Sequence, residues 1–199
     1  MCRFHTQTAG CSLTMQQPEN NIIRTTLQAI ASVLGGTNSL HTNALDEAWA
    51  LPTEKTAKLA LRTQQILAYE SGLTKAADPA GGSYFLESLT NQMESQTVEY
   101  MDKVDEMGGM ISAIETGFPQ REIQEASYYE QRNIEKGEKV FVGVNRFVQQ
   151  EDSPIEILRI GPEVEETQVK ALKTLHHERN ERCVTRALSN LVQAAHTDE

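Results

Sequence analysis

Two polar clusters in the first quarter of the sequence could carry chemistry. The first is Arg3-Phe4-His5-Thr6-Gln7-Thr8-Ala9-Gly10. In an extended strand, positions 3, 5 and 7 share one face. A guanidinium, an imidazole and a carboxamide would then stand side by side. Three such groups are too costly to enclose as filler, and call for pairing or a ligand. The second cluster is Ser39-Leu40-His41-Thr42-Asn43, followed by Asp46 and Glu47. Here a short strand ends in polar groups, the place where β/α barrels build their active sites. The residues alone leave an alternative: a structural polar network, with Asn43 or Asp46 capping a short helix at 46–50.

The other chemistry-bearing residues are weaker candidates. There is no glycine-rich phosphate loop, no Gly-x-Ser-x-Gly, no Cys-x-x-Cys and no His-Glu-x-x-His. His176 and His177 are adjacent, so on a helix they point about 100° apart and read as a solvated face. His196 falls in a tail expected to fray. Nothing near Cys11 or Cys183 would lower a thiol pKa, so both read as packing residues. Cys2, Cys11 and Cys183 are sparse and odd in number, which argues against a disulfide framework and for a reducing compartment.

The elements that must position the clusters follow from periodicity. Residues 2–8 predict a short strand. Pro18 suits a first helical turn, and Ile23, Leu27, Ile30 and Leu34 predict one apolar helix face, stopped by Gly35-Gly36. Ser39 to Thr42 predicts a second strand, and Thr53 caps a helix over about 54–71, closed by Gly72. The order strand–helix–strand–helix implies a parallel sheet with helices outside. Beyond Gly81-Gly82, Leu86, Leu89, Met93, Tyr100, Val104 and Met107 predict a long helix ending at Gly108-Gly109. A short helix at 110–116 and a polar one from Pro119 to about Glu135 come next. Short strands are expected at 139–144 and 155–160. A helix opens at Pro162 with Glu163, Glu165 and Glu166 in its first turn and runs to about His177. A last helix carries Val184, Leu188, Leu191 and Val192.

The 199 residues carry 18 basic and 28 acidic side chains, a formal charge of −10, and hydrophobic residues make up 39%. Mean hydropathy is −0.46, a globular composition. The acidity argues against nucleic acid as a partner. No apolar run approaches the roughly 20 residues of a spanning helix, so no membrane partner is expected. The amino terminus does not read as a signal peptide; it reads like the middle of something longer. Two βα units cannot bury both faces of a parallel sheet, and a closed barrel needs eight. A truncated chain, or a subunit completed by another chain, is therefore expected.

Several blocks carry a resemblance. They are 3–10 and 39–48, already quoted, with Asp78-Pro79-Ala80-Gly81-Gly82-Ser83-Tyr84 and Val142-Gly143-Val144-Asn145. Leu61-Arg62-Thr63-Gln64-Gln65-Ile66-Leu67-Ala68-Tyr69-Glu70-Ser71-Gly72 and Gly117-Phe118-Pro119-Gln120-Arg121-Glu122-Ile123-Gln124 belong with them. In this order they resemble the large subunit of methylmalonyl-CoA mutase and its isobutyryl-CoA and 2-hydroxyisobutyryl-CoA mutase relatives, over nearly the whole chain. The resemblance implies an α/β fold: the last two βα units of a TIM (β/α)8 barrel (residues 1–74), then a mainly helical linker and subunit-contact region with two short strands (75–199).

The resemblance further implies an isomerase, a mutase performing radical 1,2-carbon-skeleton rearrangement between methylmalonyl-CoA and succinyl-CoA or a related pair. Its cofactor would be adenosylcobalamin and its substrate an acyl-CoA. Its partners would be the rest of the barrel and a cobalamin-binding domain or small subunit, in a cytoplasmic hetero- or homo-oligomer. Gln7 matches a glutamine at the corrin edge, and His5 a motif histidine on the same strand face. Glu47 matches a glutamate at the adenosyl ribose, where a carboxylate suits two vicinal hydroxyls. Ala48 and Leu51 match its neighbours beside the corrin. No residue here matches the groups that grip the acyl carbonyl, and no Asp-x-His-x-x-Gly is present, so the chain alone is expected to be inactive. Cys11 stands where the mutases commonly have tryptophan, and Asn38 where they commonly have glutamine. A non-catalytic split or truncated relative serving as an interaction subunit is the competing expectation.

Overall fold

The computed structural model describes residues 3–149 and 155–196. The chain divides into two compact units, one ending at Leu158 and one beginning at Arg159. The first unit opens with strand β1 (His5–Gln7), helix α1 (Asn20–Leu34), strand β2 (Ser39–His41) and helix α2 (Glu54–Tyr69). The strands pair in parallel, Gln7 opposite His41. The expected strand–helix–strand–helix order and parallel pairing are thus present, in a mixed α/β chain that is mostly helical. Asn38 fixes the start of the pair: its Oδ1 accepts from Phe4 N (3.0 Å), and its own N donates to Phe4 O (3.1 Å).

Helix α2 begins as predicted. Thr53 sits in extended backbone and its Oγ1 accepts from Thr56 N at 3.2 Å, satisfying one of the free first-turn amides. Helix α1 differs from its prediction in orientation. Asn21, Thr25 and Ala29, four residues apart, are its buried stripe, whereas Ile23 and Leu27 are 61% and 63% exposed. On this inward face Asn21 bonds to the loops beneath, at Thr14 and Leu45, while Thr25 Oγ1 is buried without a hydrogen-bond partner. Among the described residues, buried polar side chains outnumber buried apolar ones.

Three further expectations are corrected. Residues 46–50 form turns, not a helix. Trp49 N and Ala50 N both bond to Asp46 O, but Pro52 follows and the Asp46 carboxylate reaches forward to α2 instead of capping its own turn. Residues 139–144 form no strand. The Asn145 side chain bonds to Phe141 N, Ile134 O and Lys139 O, Gly143 turns at φ 83°, and only a lone bridge joins Val142 to Arg146. Residues 155–160 have no regular structure, since no neighbouring strand supplies a ladder.

The first unit continues with α3 (Tyr84–Glu106), α4 (Met110–Glu115) and α5 (Phe118–Glu135), where Pro119 occupies the first turn. The predicted apolar repeat of α3 lies largely open, with Leu86 40% and Met93 61% exposed. The second unit holds α6 (Pro162–Glu178) and α7 (Glu181–Ala195), begun by Asn180 Oδ1 accepting from Cys183 N at 3.1 Å. Met1 and Cys2, which the strand prediction touched, lie outside the described residues.

Candidate functional site

Strand alternation sorts the first cluster. His5 and Gln7, with Ser39 and His41, are exposed, while Thr6 and Leu40 are half-buried on the opposite face. His5 Nδ1 lies 2.7 Å from Ser39 Oγ, so the imidazole is held against the neighbouring strand.

At the carboxyl ends of the strands one residue ties everything together. Asn43 N donates to Thr8 Oγ1 at 2.9 Å, and that hydroxyl donates back to Asn43 Oδ1 at 3.1 Å. Gln7 Nε2 donates to the same Oδ1 at 3.3 Å. These donors fix the carboxamide, because only an oxygen can accept from both. Asn43 Nδ2 must therefore point the other way, and it is buried without a hydrogen-bond partner. A Cβ added to Gly10 would lie 3.0 Å from Asn43 Nδ2 and 3.3 Å from Glu47 Oε1. Gly10 thus packs against the amide donor and the carboxylate too closely for a Cβ to enter without displacing them.

The turn bearing Glu47 is braced from below. Asp46, fully buried, accepts through Oδ2 from Thr53 N (3.1 Å) and Thr56 Oγ1 (2.7 Å). Its Oδ1 is buried with no partner. Trp49 Nε1 donates to Met15 O at 3.1 Å. Thr42 Oγ1 donates to Ala60 O, and Gln64 Nε2 reaches Leu40 O and Thr42 Oγ1. A cavity of about 240 Å³ lies between this turn and α2, lined in part by His41, Ala44, Glu47, Pro52 and Gln64.

The structure brings Gln7, Asn43 and Glu47 together, and places His5 one strand repeat below Gln7. Ala48, half-buried, and Leu51, 56% exposed, share the turn of Glu47. Sequence reasoning treated Asn43 as a cap and passed over Gly10. The available signal was the four-residue step from Asn43 to Glu47 beside a glycine that ends the facing strand motif. A second, apolar cleft of about 510 Å³ lies among α3, α4 and α5, around Met101, Val104, Phe118 and Ile123. There Tyr100 donates to Glu122 Oε2 at 2.5 Å. That bond and the nearby negative charge raise the phenol above its ordinary value of 10.0. Among the described residues no helix is long and apolar enough to cross a membrane.

The first unit is thus a mixed α/β arrangement with a small parallel sheet and a polar cluster at the carboxyl ends of its strands. Comparison with known proteins is specific: the sequence profile of methylmalonyl-CoA mutase matches residues 1–198. The methylmalonyl-CoA mutase of Escherichia coli K12 is 46% identical over 198 residues, 99% of this chain and 28% of its own length. That of Rhizobium meliloti is 43% identical over 196 residues, 98% of this chain and 28% of its own. The mitochondrial methylmalonyl-CoA mutase of Homo sapiens is 42% identical over 196 residues, 98% of this chain and 26% of its own. The chain belongs to the methylmalonyl-CoA mutase family, a family of isomerases, and spans little more than a quarter of the length of these curated relatives.

Proposed function

We propose that this chain supplies the last two βα units of a β/α barrel in an adenosylcobalamin-dependent acyl-CoA mutase. Residues 1–74 end the barrel, and residues 75–199 form the helical region that contacts other subunits and a cobalamin-binding domain. The reaction is the 1,2-rearrangement between methylmalonyl-CoA and succinyl-CoA or a related acyl-CoA pair, performed in the cytoplasm by a hetero- or homo-oligomer.

One observation supports this reading above the others. The unpartnered Asn43 Nδ2 and the Glu47 carboxylate both lie close against Gly10. A donor next to an ionised acceptor suits a pair of vicinal hydroxyls, such as those of a ribose. When bound, adenosylcobalamin supplies the carbon radical that starts the rearrangement. Glu47 would accept hydrogen bonds from the ribose hydroxyls, and Asn43 would donate to one of their oxygens. Gln7, held against Asn43, would present its carboxamide at the corrin edge, with His5 oriented by Ser39. Ala48 and Leu51 offer apolar surface that excludes water.

The test uses a complete mutase polypeptide carrying this chain in place of its own matching stretch. Adenosylcobalamin binding is followed by visible absorbance and turnover by product formation. Glu47→Gln is expected to lower kcat by roughly tenfold or more, as loss of a charge-assisted hydrogen bond does, with the acyl-CoA KM little changed. Unchanged kcat with a changed KM refutes the assignment. The second reading, a non-catalytic interaction subunit, draws on the exposed Leu188, Leu191 and Val192 of α7, 61%, 71% and 58% accessible. The presence of His5, Gln7 and Glu47 weighs against it, since loss of function frees such positions to become apolar. Failure of the complete polypeptide to bind cobalamin would favour it.

A further inference from the structure

A polar bridge runs from the loop after α5 to the turn that carries Glu47. Its centre is Asn21, fully buried, with its whole carboxamide engaged. Nδ2 donates to Thr14 O (2.8 Å) and Leu45 O (2.9 Å); Oδ1 accepts from Thr14 N (3.1 Å) and Arg24 Nη1 (2.8 Å). Arg24 Nη1 also donates to Thr14 Oγ1 at 2.9 Å, while Nη2 crosses to Val142 O at 2.7 Å. Gln17 Nε2 adds a parallel tie to Phe147 O at 3.1 Å. Among the described residues no carboxylate forms an ion pair with Arg24, and burial lowers the guanidinium below its ordinary pKa. A partly desolvated arginine held by hydrogen bonds alone shares its geometry with each of its acceptors, so moving one moves the others.

The loop end of the bridge fits closely. Gly143 is buried at φ 83°, and a Cβ there would lie 2.8 Å from Gln17 Cδ and 2.9 Å from Gln17 Oε1. The other end, Leu45 O, is two residues from Glu47. Trp49 Nε1 on Met15 O ties the same turn to the segment before α1 that carries Thr14.

We propose that Arg24 is a positioning residue that, through Asn21, couples the placement of residues 141–147 to that of the Glu47 turn. The segment leaving α5 thereby sets the geometry of the cofactor-facing carboxylate. The functional value of this coupling rests on the reading of Glu47 given above; the coupling itself does not.

Hydrogen exchange on the 199-residue chain tests it without cofactor. The reporters are the amides of Glu47, Trp49 and Ala50, bonded to Ala44 O, Asp46 O and Asp46 O. Gly143→Ala perturbs only the remote end. It is expected to speed exchange at these amides by roughly threefold to thirtyfold, the span of measured coupling energies. In an Arg24→Met background the same change is expected to add only part of this effect, because the Arg24 link is cut and the Gln17–Phe147 tie remains. Should Gly143→Ala fail to fold, Gly143→Asn takes its place, since asparagine tolerates a positive φ better and carries the same intruding Cβ. Exchange changes confined to residues 14–24 and 141–147, or effects of the two substitutions that add in full, overturn the proposal. A chain whose exchange behaves as expected, within a complete enzyme that ignores adenosylcobalamin, would defeat the functional reading and leave the coupling standing.

Discussion

The space beside Gly10 makes a quantitative prediction. Gly10 is not among the residues with positive φ, so alanine there is opposed by contact and not by the backbone. Its Cβ would lie 3.0 Å from Asn43 Nδ2, where ordinary contact begins at 3.4 Å, so the carboxamide must retreat by about 0.4 Å. The retreat strains bonds of 3.1 Å from Thr8 and 3.3 Å from Gln7. Mild overpacking of this kind costs about 1 kcal/mol. Against it, replacing glycine restricts the unfolded chain and returns about 0.4–1 kcal/mol. Net stability should therefore change by less than about 1 kcal/mol, a shift of a few degrees in Tm. Ligand binding should suffer far more. The methyl group would push the Asn43 amide and the Glu47 carboxylate from the positions proposed to hold the ribose, and losing one or two hydrogen bonds there is worth roughly tenfold to a hundredfold in affinity. The assay pairs a thermal melt with an adenosylcobalamin titration of the complete polypeptide, unmodified and Gly10→Ala. Wild-type affinity at unchanged Tm would show that the space is not a ligand site. An equal collapse of both would show that Gly10 serves packing alone.

Three further outcomes are expected. Thr8→Val removes the hydroxyl that both accepts from Asn43 N and donates to Asn43 Oδ1 in a buried setting, and should cost roughly 2–3 kcal/mol in urea unfolding; a cost near zero would dismiss the clasp between the strand ends. Tyr100 should ionise above the ordinary phenol value in an absorbance titration, and Glu122→Gln should lower it, since Glu122 is the first cause of the shift. A raised folded pKa means that this stabilisation is complete below the unfolded value near 10 and is lost as pH rises through the folded value, so Glu122→Gln should flatten only the alkaline limb of the stability curve. The isolated chain, with Ile23 and Leu27 open on α1, should self-associate in sedimentation as concentration rises; a monomer with a single cooperative melt would count against an incomplete barrel.

Much of the fold was legible because local signals agreed. Thr53 as a cap, Pro119 in a first turn and the polar alternation at His5 and Gln7 needed no partner to be recognised. Misreadings arose where side chains competed with the backbone. The run from Lys139 to Val144 has the composition of a strand, but Asn145 spends its carboxamide on three backbone groups and Gly143 reverses the chain. Asp46 looked like the start of a helix, yet its carboxylate braces the next one. The Asn21–Arg24 bridge was invisible because its contacts at Leu45 and Val142 lie 24 and 118 residues away, beyond any periodic pattern.

The inverted reading of α1 has a physical cause that bears on function. Hydrophobic periodicity identifies the face of a helix that seeks an apolar neighbour; it does not say which neighbour. The buried face of α1 is Asn21, Thr25 and Ala29, and Asn21 spends its carboxamide on Thr14 and on Leu45 O in the loops. Ile23 and Leu27 satisfy the periodic pattern but turn to the open side. In a layered β/α fold that side is where the next helix packs, and a two-stranded sheet offers none there. At the carboxyl ends of the strands Asn43 Nδ2 is likewise left without a hydrogen-bond partner. Apolar faces left open and polar atoms left unpaired are both what the proposed incomplete barrel would leave in this stretch of polypeptide.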